Sequence, residues 1–136
     1  MHELALAEAV VATALEVAAR ERIGRITGIE VRVGELQSID RETFAFALRT
    51  MIPADEPRLA AAEIRIEIER ARLRCRPCGR EFLLEEAPGF SGATAAEAIH
   101  FVPELAHAFL RCPGCASPDF AVEGGRGVTL HAVEGE

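Results

Sequence analysis

The chain has 136 residues and a formal net charge of −7 at pH 7, and every one of its 15 basic residues is an arginine. This acidic balance disfavours a nucleic-acid partner, because most affinity for DNA or RNA comes from basic side chains that neutralise phosphates. No run of 18 apolar residues is present, so we expect no membrane span. The length suits one ordinary domain, or a small core joined to a metal-stapled module.

Apolar residues recur at helical spacing from His2 to about Arg22 and predict a long first helix. The residues assigned to its apolar face are Leu6, Val10, Ala14 and Val17. After a glycine-bounded turn, apolar and polar side chains alternate over residues 29–33 and predict a first strand.

A second helix is predicted to start after Asp40, a residue type that caps helix N-termini well, and to run to about Thr50. Two prolines, Pro53 and Pro57, are expected to end it. The residues expected on its buried face are Phe44, Ala47, Leu48 and Met51.

From Ala62 onward, isoleucine alternates strictly with charged residues, which is the clearest strand pattern in the chain and predicts a strand over 62–73. A short last strand is predicted over 128–133, and we expect it to join the sheet of 29–33 and 62–73, since a lone strand is unstable. The predicted fold is α+β, a small mixed β-sheet covered by two helices, with a four-cysteine zinc-ribbon-like module inserted before the last strand. The predicted domains are 1–72 plus 124–136 and 73–123.

The only four cysteines of the chain form two C-x-x-C pairs. They are Cys75, Cys78, Cys112 and Cys115. Two such turns supply the four thiolates of a closed tetrahedral Zn²⁺ site, with no position open for a substrate. Iron held by the same thiolates is the main alternative. Disulfides are disfavoured because the charged residues Glu3 and Glu8 interrupt any secretory leader. A thioredoxin-like pair is disfavoured because both pairs contain a proline and neither precedes an apolar helix.

The segment between Cys78 and Cys112 has 33 residues, more than the roughly 12 to 20 that close a ribbon. It contains His100 and His107, which suggest a second metal site. On an unbroken helix their Cα atoms would lie about 10.5 Å apart along the axis, at ~1.5 Å per residue, and Pro103 interrupts such a helix. Packing or surface roles for these histidines are therefore favoured over a shared ion.

The start of the chain, Met1-His2-Glu3, offers a different kind of metal site. The α-amine, the His2 amide nitrogen and the His2 Nδ1 atom can close two chelate rings around one ion, and Glu3 adds an amide or a carboxylate. Nitrogen-rich tetragonal donor sets suit Ni(II) or Cu(II) and not tetrahedral zinc. From the residues alone, a solvated terminal histidine is the alternative.

Three features in this order resemble the HypA/HybF family of nickel metallochaperones: Met1-His2-Glu3-Leu4, the segment 31–36 that reads VRVGEL, and the two cysteine pairs. The resemblance covers nearly the whole chain and implies delivery of Ni(II) during [NiFe] hydrogenase maturation and, in some members, to urease. It implies nickel binding by Met1, His2 and Glu3. It implies structural zinc on Cys75, Cys78, Cys112 and Cys115.

The implied partners are a HypB-type GTPase, the [NiFe] hydrogenase large subunit and, in some members, a urease accessory protein. We expect a cytoplasmic monomer or weak homodimer that is not an enzyme, because no nucleophile–base pair or phosphate-binding loop is evident. The alternative function is a zinc-ribbon scaffold or adaptor protein that carries no nickel. Acidification should release nickel, since the amine and the imidazole take up protons.

Overall fold

The computed structural model of the protein describes residues 3–37, 39–88 and 106–136. The helices are α1 (Glu3–Arg20), α2 (Arg41–Phe46), α3 (Ile52–Asp55) and α4 (Ala106–Phe109). The strands are β1 (Ile26–Gly34), β2 (Glu63–Glu69), β3 (Arg72–Cys75), β4 (Glu81–Leu83), β5 (Phe120–Gly124) and β6 (Val128–Gly135). Within these ranges, no helix combines the length and the apolar character needed to cross a membrane.

The described strands form two three-stranded sheets, in the orders β2-β1-β6 and β4-β3-β5. The last strand thus returns to the sheet of the first, as predicted. Arg25 and Glu136 exchange backbone hydrogen bonds of 3.3 and 3.0 Å, a pattern typical of antiparallel neighbours. The predicted α+β fold, with the four cysteines in a module inserted before the last strand, is confirmed.

The predicted strand over 62–73 is wrong in one respect, because it is two strands that belong to different sheets. β2 ends at Glu69 and β3 begins at Arg72. Between them, the N–H of Ala71 donates to Oε1 of Glu35 at 2.9 Å instead of to a neighbouring strand. A side chain from another part of the chain therefore breaks the ladder.

The second helical segment continues past Pro53, contrary to the prediction. A π-helical turn over Ala47–Met51 precedes the proline, and the N–H of Ile52 bonds the carbonyl of Ala47, five residues earlier. Pro53 then occupies the first turn of α3, where a missing N–H is tolerated. The helical run ends at Asp55, before Pro57.

The π-helical turn also changes which side chains face the core. Phe44, Ala47 and Leu48 are buried, as predicted, whereas Met51 is 43% exposed. The wide turn inserts an extra residue and so moves Met51 out of the buried stripe.

The buried face of α1 is rich in alanine and differs in part from the prediction. Val10 and Ala14 are buried as expected, but Leu6 and Val17 are only half-buried at the margin. The buried residues are Glu3, Ala7, Val10, Val11, Ala14 and Ala18. Helix α1 contacts both β6 and α2.

The chain divides into two compact units. The first unit comprises 1–32, 39–67 and 128–136, and the second comprises 33–38 and 68–127. The second unit has its own buried cluster, which includes two of the cysteines. Its members are Leu36, Ala71, Leu73, Cys75, Phe82, Leu84, Ala87, Ala106, Leu110, Cys112 and Phe120. The domain bounds 1–72 plus 124–136 and 73–123 stay a prediction, which folding of the isolated pieces would test.

Candidate metal centre

The sulfur atoms of the four cysteines converge on one point, and all lie within 4.8 Å of one another. Sγ of Cys75 lies 3.4 Å from Sγ of Cys115, and Sγ of Cys78 lies 3.6 Å from Sγ of Cys112. A tetrahedral Zn²⁺ with Zn–S distances of about 2.3 Å sets the sulfurs about 3.8 Å apart. The cluster therefore has the size of a four-thiolate zinc site.

The two cysteine turns have matching backbone structures. In each turn, the N–H of the first cysteine donates to the carbonyl five residues later, and its own carbonyl accepts from the N–H four residues later. The pairs are Cys75 with Arg80 (2.8 Å) and Gly79 (2.9 Å), and Cys112 with Ser117 (2.9 Å) and Ala116 (2.9 Å). This repeated geometry orients both cysteines of each turn toward the shared ion.

Each turn places its fifth residue in the left-handed region, Gly79 at φ 75° and Ala116 at φ 63°. Glycine adopts this conformation without a steric penalty, whereas an L-residue such as alanine meets its own carbonyl oxygen. The second turn therefore adopts this geometry at a conformational cost that the first turn avoids.

The four thiols differ in their exposure, and the two buried thiols differ in their acidity. Cys75 and Cys112 are buried, while Cys78 and Cys115 are exposed. Burial raises the pKa of Cys75 to about 12. Burial is the largest single influence on Cys112 and raises its pKa, but hydrogen bonds from backbone N–H groups and from neighbouring thiols together outweigh it and lower that pKa to about 7.

One of these N–H groups belongs to Gly114 and lies 3.3 Å from Sγ of Cys112. In the metal-free protein, Cys112 is therefore the first of the two buried thiols to ionise. A metal ion that binds all four sulfurs must displace the remaining protons, which makes its affinity depend on pH.

Several arginines surround the cysteines and form ion pairs with carboxylates. Arg74 contacts Glu81 at 2.9 Å and Glu123 at 2.8 Å, and Arg76 pairs with Asp119. These side chains are largely exposed, so each pair adds little to stability. The arginines place positive charge near the thiolates. Their carboxylate partners balance that charge when no metal ion is bound.

His107 has a packing role in the structure. Its ring stacks on Phe120 with the centroids 4.3 Å apart, and its Nδ1 atom lies 3.1 Å from the carbonyl oxygen of Pro118. The cysteine cluster contains no histidine from the described part of the chain. His100 lies outside the described residues.

At the other predicted site, Met1 and His2 lie outside the described residues, and Glu3 is the first residue of α1. Glu3 is buried, and its Oε1 atom accepts a hydrogen bond from the N–H of Asp40 at 2.8 Å. This hydrogen bond is the largest of the influences that lower the pKa of the Glu3 carboxyl to about 2 from its ordinary value of 4.5.

Asp40 itself caps α2, as the sequence predicted. Its Oδ1 atom accepts from the N–H groups of Glu42 at 3.0 Å and Thr43 at 3.2 Å. The contact between Asp40 and Glu3 was not predicted, because two residues 37 positions apart leave no local sequence pattern. The start of α1 is thereby tied to the start of α2.

Glu3 is expected to remain ionised far below the usual range of carboxylic acids. Because its folded pKa is lowered, its contribution to stability is complete above about pH 4.5, declines between pH 4.5 and 2, and is lost below. NMR titration should give a Glu3 midpoint near 2, with the Asp40 amide shift following it. In Glu3→Gln the Asp40 shift should lose this step. A Glu3 midpoint near 4.5 would contradict the assignment.

A second set of contacts that the sequence did not predict is made by residues 34–36. We call these three residues and their hydrogen-bond partners the Glu35 clasp. Glu35 donates from its N–H to the carbonyl of Glu69 at 2.8 Å and accepts from Ala71. Leu36 donates to Gly125, and Gly34 donates to Gly127, both at 2.8 Å. The clasp thus connects the chain entering β3 with the chain leaving β5. These hydrogen bonds give residues 34–36 a structural role.

Comparison with known proteins agrees with this geometry. Residues 1–135 match the family described as "Hydrogenase/urease nickel incorporation, metallochaperone, hypA". The chain belongs to the HypA family. The resemblance read from its motifs is confirmed. HypA-family members are nickel metallochaperones, and this chain places four cysteines as a zinc-type site requires.

Relatives of this HypA-family chain cover it almost completely. The hydrogenase maturation factor HypA of Pyrococcus abyssi is 43% identical over 134 residues, which are 98% of this chain and 95% of that protein. That of Thermococcus sibiricus is 40% identical over 139 residues, 100% of this chain and 97% of that protein. The solution structure of the Ni metallochaperone HypA from Helicobacter pylori has a TM-score of 0.61 at 21% identity. The superposition covers 98% of this chain and 97% of the Helicobacter pylori chain, and the two chains share a fold.

Proposed function

We propose that this chain is a cytoplasmic nickel metallochaperone that binds Ni(II) through Met1, His2 and Glu3 and delivers it during [NiFe] hydrogenase maturation. The observation that carries the proposal is the family match over residues 1–135, which includes the Met-His-Glu start. A role in supplying urease is part of the same proposal, since the family description covers both. The alternative of a zinc scaffold without nickel is not favoured by membership of a nickel-incorporation family.

The contacts of Glu3 support a defined donor set. Its Oε1 atom is already hydrogen-bonded to Asp40, which favours the Glu3 amide nitrogen as the nickel donor. Deprotonated amides, an amine and an imidazole form the nitrogen-rich set that Ni(II) accepts in tetragonal geometry.

We propose that Cys75, Cys78, Cys112 and Cys115 hold a structural Zn²⁺. The sulfur spacing supports this, and so does the burial of Cys75 and Cys112 in the core of the second unit. Four thiolates complete a tetrahedral site, so the zinc has no open position at which to act on a substrate. Zinc would then fix the shape of the second unit while nickel is the cargo.

Delivery of nickel requires partners. We propose a HypB-type GTPase, the [NiFe] hydrogenase large subunit and, where urease is supplied, a urease accessory protein, acting on a monomer or weak homodimer. We assign no catalytic reaction to this chain, so nucleotide hydrolysis belongs to the GTPase. Release is driven by protonation, because the amine and the imidazole, with reference pKa values near 7.7–8.0 and 6.5, compete for protons with the metal.

The terminal site is tested by blocking its donors. A tag left on the amino terminus, or His2→Ala, should abolish Ni(II) binding in calorimetry and leave one zinc per chain. The matched controls are the same tag at the carboxyl terminus and His107→Ala, which removes another histidine; both should retain nickel. Undiminished nickel affinity in the tagged and His2→Ala proteins would show that the terminal site is wrong.

A further inference from the structure

A groove of about 360 Å³ lies in the first unit, between α1 and the helical turns around α3. Its floor is apolar and consists of Leu4, Val11, Met51 and Ile52. Leu4 and Met51 are 40% and 43% exposed, although side chains of this size usually lie inside. An exposed apolar surface of this kind is typical of a binding site.

Two features of the sequence build this groove. On α1, Leu4, Glu8 and Val11 recur at intervals of four and three residues, so they form one stripe that runs from the exposed Leu4 to the buried Val11. On the second helical segment, the π-helical turn moves Met51 out of the core and toward the groove. Such turns recur at functional sites, and methionine adapts its shape to different ligands.

The rim of the groove is acidic and consists of Glu8, Asp55 and Glu56. Glu56 is paired with Arg58 at 3.0 Å. Within the ranges that the structure describes, the carboxylates of Glu8 and Asp55 form neither a hydrogen bond nor an ion pair. The groove therefore has two uncompensated negative charges around an apolar floor. A second copy docked face to face would oppose acidic rims, and anionic lipids or nucleic acids would also be repelled.

We propose that this groove docks a segment of a partner protein that carries a large apolar side chain flanked by lysine or arginine. The apolar side chain fills the space between Leu4 and Met51, and the basic side chains reach the carboxylates of Glu8 and Asp55. This combination supplies an apolar anchor for affinity and charges for orientation and encounter rate.

The groove begins at Leu4, which directly follows Glu3 in the chain. Under the proposed nickel function, on which this step rests, a partner in the groove is held beside the segment that carries the ion. Docking and metal transfer then involve the same end of α1.

The probe for this surface is a synthetic peptide of about 14 residues, ~21 Å long as a helix, made of leucine and lysine with one tryptophan. The protein contains no tryptophan or tyrosine, so tryptophan emission reports the peptide alone. The wild-type protein should bind it and shift its emission to shorter wavelength. A matched peptide with glutamate in place of lysine should not bind.

Met51→Asp, and the pair Glu8→Arg with Asp55→Arg, should each weaken peptide binding by about tenfold. The matched control is the pair Glu16→Arg with Glu21→Arg, which makes the same charge change at two exposed positions outside the groove and should weaken binding much less. Thermal unfolding would verify that the variants are folded. Equal weakening by this control pair, or equal binding of the glutamate peptide, would overturn the proposal.

Nickel calorimetry on the same variants separates this proposal from the nickel function. Met51→Asp should retain Ni(II) binding, because Met51 supplies no donor atom. Loss of nickel binding in His2→Ala with intact peptide binding supports both proposals. Undiminished nickel binding in His2→Ala contradicts the nickel site alone, and undiminished peptide binding in Met51→Asp contradicts the groove alone.

Discussion

Removal of the metal ion from the four-cysteine site is expected to unfold the second unit of the chain. Cys75 and Cys112 belong to its buried cluster, so the ion and the apolar core stabilise the same structure. Structural Zn²⁺ contributes about 10–16 kcal/mol of binding free energy in small zinc-binding peptides, more than a small apolar core supplies. Amide hydrogen exchange should show loss of protection in β3 and β5 after treatment with a strong chelator.

Protection in α1 should largely survive this treatment, because none of the four cysteines lies in the first unit. Two matched variants refine the test. Cys78→His should retain zinc, since Cys78 is exposed and imidazole is an accepted fourth ligand. Cys75→His should lose it, because the larger ring does not fit the buried position. Unchanged protection in β3 and β5 of the metal-free protein would contradict the structural role.

Gly34→Ala is expected to lower the free energy of unfolding by about 3 kcal/mol or more. A Cβ atom at Gly34 would lie 2.6 Å from the backbone nitrogen of Arg126 and closer still to the carbonyl group of Gly125. These neighbours are backbone atoms, which cannot rotate away as a side chain can. The Glu35 clasp would have to open, with loss of the hydrogen bonds from Gly34 to Gly127 and from Leu36 to Gly125.

The control for this prediction is Gly79→Ala in the first cysteine turn. Gly79 has a φ of 75°, but a Cβ atom there would have no neighbour within 4 Å. Its cost is therefore conformational only, about 1 kcal/mol. Urea unfolding of the zinc-loaded proteins measures both values. Similar costs for the two variants would show that the close packing at Gly34 is tolerated.

The elements that follow local rules could be predicted from the sequence. Isoleucine alternation located β2, and Asp40 located the start of α2, because the signal and the structure involve the same few residues. Two of the errors have causes outside the local sequence pattern. The N–H of Ala71 bonds the side chain of Glu35, which lies 36 residues earlier, and the π-helical turn over Ala47–Met51 shifts the side chains that follow it, which a regular helical pattern does not anticipate.

The candidate metal centre also has some features that the local sequence predicts and others that it does not. The shape of each cysteine turn follows from the C-x-x-C spacing, since each turn needs only its own backbone hydrogen bonds. The sequence could not distinguish buried from exposed thiols, because that depends on packing between strands. The bond from Asp40 to Glu3 was also beyond prediction, as it joins two helix starts across 37 residues.

The unequal exposure of the cysteines bears on how quickly a bound ion exchanges. Each turn contributes one sulfur on the solvent side, Cys78 or Cys115, and one inside the core. A competing ligand therefore meets the solvent-side sulfurs first, and each turn keeps its inner thiolate on the ion while the outer one is replaced. We therefore expect substitutions at the outer pair to change the rate of exchange, and substitutions at the inner pair to change the position of the site itself.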